Sequence, residues 1–160
     1  MNGTEEQRRY MEEAVRLAER NVTSGNGGPF GAVIVKDGRI VATGVNEVTK
    51  KHDPTAHAEV QAIREACRVL GSFQLEDCEL YTSCEPCPMC IGAIYWARPK
   101  AVYFAGTKDE AAAIAFDDKF IYDELGRPMA ERRLPMVRIT PEGYTAPFEA
   151  WAASERKVEY

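Results

Sequence analysis

Residues 79–105 read ELYTSCEPCPMCIGAIYWARPKAVYFA. Glu79 to Ser83 reads as a short strand. The break at Pro86 is followed by a helix from about Pro88 to Ala97, with Met89, Ile91, Ala93, Ile94 and Trp96 as its apolar residues, and Pro99 ends it. Ala101 to Ala105 reads as another strand. Strands that alternate with helices pair in parallel and carry the helices on the faces of their sheet. The stretch therefore predicts an α/β fold.

The flanks agree. Upstream, Thr55 to Leu70 reads as a helix with Ala58, Ile63, Ala66, Cys67 and Leu70 apolar and Gly71 just past its end. Before it, Phe30–Lys36 and Arg39–Gly44 are strands joined at Asp37-Gly38, a two-residue hairpin turn. Residues 4–23 form an amphipathic helix that opens on Thr4-Glu5-Glu6-Gln7, a capping box. Val45 to Pro54 is a polar connection. Downstream, two short helices are expected near Asp109–Ala115 and Asp117–Leu125, then a strand at Leu134–Thr140 and a helix at Pro147–Lys157. There is no repeat or low-complexity linker, and 160 residues suit one domain better than two.

Composition narrows the function. The net charge of -5 is a poor footprint for a phosphate backbone, so a small neutral substrate is expected over nucleic acid. No apolar run reaches the ~18–20 residues that span a bilayer. The start, Met1-Asn2-Gly3-Thr4-Glu5-Glu6, is acidic and leads into a helix, unlike a secretory signal. The five cysteines, Cys67, Cys78, Cys84, Cys87 and Cys90, are odd in number and crowd one stretch, which favours a reduced, cytoplasmic setting and metal or thiol chemistry over disulfides.

Two fragments carry chemistry, Thr55-Ala56-His57-Ala58-Glu59 and Glu85-Pro86-Cys87-Pro88-Met89-Cys90. Cys87 and Cys90 stand three apart at a helix start, where both sulfurs can grip one ion and the helix N-terminus favours thiolates. A catalytic zinc takes three protein ligands and keeps one position for water. His57 is the leading third ligand, the only other histidine being His52. Glu59, two residues on, can face the same ion without binding it, taking a proton from water that zinc brings to a pKa of about 7 and returning it to substrate. The cysteine pair has rival readings: a redox dithiol, plain helix packing, or a closed structural zinc site with Cys84 as fourth ligand and no catalytic role. His-x-Glu followed by Pro-Cys-x-x-Cys is the signature of zinc deaminases that act on bases.

With these fragments the chain resembles the cytidine deaminase superfamily of zinc hydrolases, and within it the bacterial guanine deaminases. The resemblance runs through residues 27–35, 53–59, 83–90, 94–100, Phe116-Asp117-Asp118 and the terminal Lys157-Val158-Glu159-Tyr160. It implies a three-layer α-β-α fold around a central five-stranded mixed sheet. It implies one zinc per subunit on His57, Cys87 and Cys90, with Glu59 as proton shuttle, and hydrolysis of guanine to xanthine and ammonia. Asn46 and Asp118 match positions that hold the purine. Phe30 and Trp96 match pocket walls. Tyr160 matches a terminal tyrosine that completes the pocket, in exchanged dimers from the partner subunit. A homodimer is expected on this basis and on the apolar tail (Phe148, Trp151, Tyr160), with residues 141–160 folding onto their own subunit or exchanging. Sibling deaminases acting on guanosine, cytosine or cytidine, amino-triazines or tRNA adenosine remain alternatives. Without the resemblance, Asp118 reads as a helix cap, Asn46 as a turn residue and Trp96 as core.

Overall fold

A computed structural model of the chain describes residues 3–160. Met1 and Asn2, where the reading of the N-terminus begins, lie outside the described residues. The chain divides into two compact units, one ending at Asp118 and one spanning Lys119–Tyr160.

The first unit holds the sheet. Helix α1 (Glu5–Thr23) opens with the expected capping box: Thr4 Oγ1 accepts from the Gln7 N–H, and Gln7 Oε1 accepts from the Thr4 N–H. Strands β1 (Gly31–Lys36) and β2 (Arg39–Val45) form the predicted hairpin, with Asp37 and Gly38 both at positive φ (50° and 72°), as a type I′ turn requires. A single turn of helix, α2 (Val48–Lys51), lies within the segment read from sequence as a polar connection. Then follow α3 (Ala58–Leu70), β3 (Cys78–Cys84), α4 (Pro88–Ala97), β4 (Ala101–Gly106) and α5 (Lys108–Ala112). The strand order is β2-β1-β3-β4. β1 pairs antiparallel with β2 and β3, and β3 pairs parallel with β4 across α4, so the sheet is mixed.

The period of two along the strands sorts residues into two cores. Val33, Val35 and Tyr81 meet Ala14, Tyr10, Met11 and Leu17 of α1 on one face. Ala32, Ile34, Cys78 and Leu80 meet Ala58, Ala62, Ala66, Ile94 and Ala97 of α3 and α4 on the other. Helices on both faces of a mixed sheet give the expected three layers. Cys78 is buried and Cys67 packs against this core, as expected of structural thiols.

Helix α3 lies very close to β2 because Gly44 has no side chain. A Cβ there would collide with the Ala58 carbonyl and the Ala62 nitrogen. Gly44→Ala must push the first turn of α3 off the sheet, and overpacking of this kind costs about 1–3 kcal/mol. A thermal melt should show the loss, with catalytic activity falling alongside because that turn carries the site. An unchanged melting temperature would mean α3 has room to move.

The second unit contains α6 (Lys119–Leu125), a 3-10 turn at Met129–Glu131 and α7 (Ala146–Ala153). Here the fifth strand expected at Leu134–Thr140 does not form. The sheet has four strands, and residues 135–140 pair with no strand among the described residues. Pro135 brings no N–H to a ladder, and Leu134, Val137 and Ile139 are 74 %, 80 % and 82 % exposed, so no buried face fixes a register. The apolar alternation is present, but nothing in this unit buries it.

Candidate metal centre and active site

The three expected ligands converge at two helix N-termini. His57 is the N-cap of α3 and Cys87 the N-cap of α4, both with extended backbone, and Pro88 occupies the first helical position that proline prefers. Cys90 is one turn into α4 and fully buried. His57 starts its helix three residues later than the sequence suggests because Asp53 and Thr55 form an Asx turn, with Asp53 Oδ1 accepting from the Thr55 N–H at 2.8 Å and from its hydroxyl at 2.7 Å.

His57 Nδ1 lies 3.5 Å from Cys87 Sγ and 3.5 Å from Cys90 Sγ, and all three donor atoms fall within 4.8 Å of one another. Zinc bonds of about 2.3 Å to sulfur and about 2.0–2.1 Å to nitrogen, at a tetrahedral angle, put sulfur and nitrogen about 3.6 Å apart. The donor set therefore fits zinc in spacing as well as in chemistry, with Nδ1 the nitrogen that faces both sulfurs. Hydrogen bonding from Cys90 first, and then from His57, holds the Cys87 thiol down at about 4, while that bond and burial push Cys90 up. The hydrogen bond to Cys87 in turn raises His57. Charge is thus concentrated where a cation is wanted, at the positive end of α4.

Cys84 is not a fourth ligand. Its Sγ turns away and donates to the Thr107 carbonyl at 3.7 Å, and burial pushes its thiol up to about 11. Among the described residues the metal-binding group has three members, which leaves a coordination position for water.

Glu59, in the first turn of α3, is 6 % exposed. Its Oε2 accepts from Cys90 Sγ at 3.4 Å and its Oε1 from Thr82 Oγ1 at 3.0 Å. Burial is the main reason its carboxyl is raised above the usual range. Sequence reading missed Thr82. The signal was there: Thr82 shares strand parity with Cys78 and Leu80, so a hydroxyl had to point into the α3–α4 face and find a partner.

Asn46 is buried just beyond β2. Its Oδ1 accepts from the Val48 N–H at 3.3 Å, and its backbone N–H donates to the Phe30 carbonyl at 3.2 Å. The buried Asn21, also missed, secures this region: its Nδ2 donates to the carbonyls of Asn46 and Gly28, both at 2.8 Å. An asparagine in line with Ala14 and Ala18 on the buried stripe of α1 marked it. Phe30 meets Phe116 edge-on, with ring centroids 5.0 Å apart. Asp118 is raised mainly by burial, with the Cys87 charge contributing, which sets its carboxylate within electrostatic reach of the metal ligands. Trp96 on α4 is 62 % exposed, so it is not core. Tyr160 is in the second unit and 67 % exposed.

A layered α/β/α unit with a nitrogen–disulfur metal centre, an open position and a buried non-ligating glutamate has the layout of a hydrolytic zinc enzyme. Residues 4–106 match the cytidine and deoxycytidylate deaminase zinc-binding region, and the chain belongs to that family. It is 58 % identical to the guanine deaminase of Bacillus subtilis (strain 168) over 151 residues, 94 % of this chain and 97 % of that one. The solved structure of guanine deaminase from Bacillus subtilis superposes with a TM-score of 0.93 at 57 % identity, covering 96 % of this chain and 98 % of that chain. A tRNA-specific adenosine deaminase of Aquifex aeolicus is 46 % identical over 96 residues, 60 % of this chain and 63 % of its own.

Proposed function

We propose that this protein hydrolyses guanine to xanthine and ammonia. The observation that carries the substrate is the degree and extent of likeness together: 58 % identity over 94 % of the chain for a guanine deaminase, but 46 % over 60 % and 36 % over 71 % for two tRNA-specific adenosine deaminases. The net charge of -5 also suits a free base better than a phosphate-bearing one.

His57, Cys87 and Cys90 would hold the zinc, which would supply an electrophile that makes water acidic near neutral pH. Glu59 takes the proton of the water that attacks C2, the carbon bearing the amino group. It returns that proton to the adjacent ring nitrogen and later passes one to the departing amine, so the same carboxylate serves as base and then acid. Thr82 holds one oxygen of Glu59 and leaves the other beside Cys90. Asn46 donates to and accepts from the ring through its amide, and Asp118 accepts from ring N–H groups. Phe30 and Trp96 wall the flat base, and Tyr160 closes the pocket.

The working enzyme is one deaminase domain per chain, assembled as a homodimer in the cytoplasm. Exposed aromatic residues on α7 and at the terminus (Phe148 72 %, Trp151 47 %, Tyr160 67 %) favour a partner subunit with an exchanged 141–160 segment. The five free thiols favour a reducing compartment.

A panel of guanine, guanosine, cytosine, cytidine, adenine and adenosine, read by ammonia release, tests the substrate. Guanine should be turned over far ahead of the rest. Faster turnover of guanosine would overturn the proposal, because a pocket closed by Tyr160 leaves no room for ribose.

A further inference from the structure

Asp118 lies on a segment without regular structure, and the contacts that fix it lie in the residues before it. Helix α5 ends in a paired set of hydrogen bonds: the Phe116 N–H donates to the Ala111 carbonyl at 3.1 Å, and the Ala115 N–H to the Ala112 carbonyl at 3.0 Å. This is a Schellman ending, and its left-handed position is normally glycine. Here it is Ala115, at φ 72°, a conformation that costs an L-residue energy. Such a conformation persists where its surroundings fix it. The next residue supplies the fixing contact. Phe116 lands edge-on against Phe30, with rings at 87° and centroids 5.0 Å apart.

The other end of the segment is tied down as well. The Lys108 N–H donates to Glu85 Oε2 at 3.0 Å, and the Glu85 N–H donates to the Gly106 carbonyl at 2.7 Å, two residues before the ligand Cys87. Only two peptide units, at most about 7 Å of chain, separate Phe116 from Asp118. Phe30 in turn belongs to the Asn46 side of the site: its carbonyl accepts from the Asn46 N–H, and a Cβ at Gly28 would touch both side chains.

We propose that Phe116 is a positioning residue: docked against Phe30, it fixes the distance between the Asn46 amide and the Asp118 carboxylate, the two polar grips on the purine. The inference rests on the guanine reading for the roles of those two residues. A base with donors and acceptors on opposite edges needs that spacing held, and a displacement of about 1 Å can cost about 100-fold in rate.

The test is a double-mutant cycle in kcat/KM for guanine with the full-length zinc enzyme, comparing Phe116→Ala, Asp118→Asn and the double variant. Phe116→Ala should lose about 100-fold, mainly through KM, at wild-type zinc content. The double variant should be no worse than Asp118→Asn alone, and Phe116→Tyr, which keeps the ring, should restore most activity. Losses that multiply in the double variant would overturn the proposal, because Phe116 would then act independently of Asp118. So would wild-type kcat/KM in Phe116→Ala or in Asp118→Asn. Phe116→Leu keeps the volume without the aromatic edge and is read in the same way if the alanine variant loses zinc. Zinc loss from both would assign the ring to the metal centre and also overturn the proposal. Failure of the guanine reading shows in the wild-type enzyme, which would be silent on guanine, whereas failure of this inference shows only in the variants.

Discussion

Glu59→Gln should retain a full complement of zinc and lose activity by about 10²–10⁴-fold, the usual contribution of a positioned general acid–base group. The amide has the shape of the carboxyl, so its oxygen can still accept from Thr82 Oγ1, 3.0 Å away in the native site. It is not a metal ligand, since the donor group consists of His57, Cys87 and Cys90. What glutamine cannot do is take a proton from water or return one to the ring and the amine. Metal analysis beside an ammonia assay separates the two effects. Ammonia release near the wild-type rate would remove Glu59 from the mechanism, and loss of zinc would show that it contributes to metal retention after all.

Cys90→Ala should be more severe and should fail differently. Loss of a mere supporting partner of a metal ligand costs about 10–100-fold in affinity, and loss of the ligand itself costs more. The substitution also opens a hole at a position with no solvent exposure and removes the 3.4 Å contact to Glu59. The expected result is protein with little bound zinc, no measurable turnover and a lower melting temperature. Cys84→Ser is the matched control. Cys84 sits three residues before Cys87 but turns to the Thr107 carbonyl, so its replacement should leave zinc content unchanged. Zinc lost from Cys84→Ser and kept in Cys90→Ala would reverse the ligand assignment.

These contrasts show what the sequence carries. Ligand spacing is local information: two residues between cysteines at a proline-marked helix start put two sulfurs on one side, and His57 with Glu59 stood at the start of another helix. Both helices, the hairpin turn and the parallel pairing around α4 followed from patterns a few residues long. Thr82 and Asn21 escaped because their roles depend on partners 23 and 25 residues away in sequence, although strand parity and the α1 stripe marked each as a buried polar group. The fifth strand failed for the opposite reason. The alternation at 134–140 is a sound local signal, but a strand exists only where another strand offers its edge, and that is a property of the whole fold. Trp96 shows the same limit: an apolar helix predicts burial without saying which of its faces the core covers.

The position of β3 has a further consequence for how the enzyme fails. Its Leu80–Thr82 segment is paired on both edges, with β1 and β4, and walled by helices on both faces. Amides in such a strand exchange with solvent only through global opening. The same strand holds Glu59, the proposed proton shuttle, through Thr82 and runs straight into the loop that bears Cys87. Opening of β3 therefore releases Glu59 and the sheet together, whereas displacement of the segments that carry Phe116, Asp118 or Tyr160 lowers activity with the sheet still protected. Loss of the slowest-exchanging amides should then never precede heat inactivation.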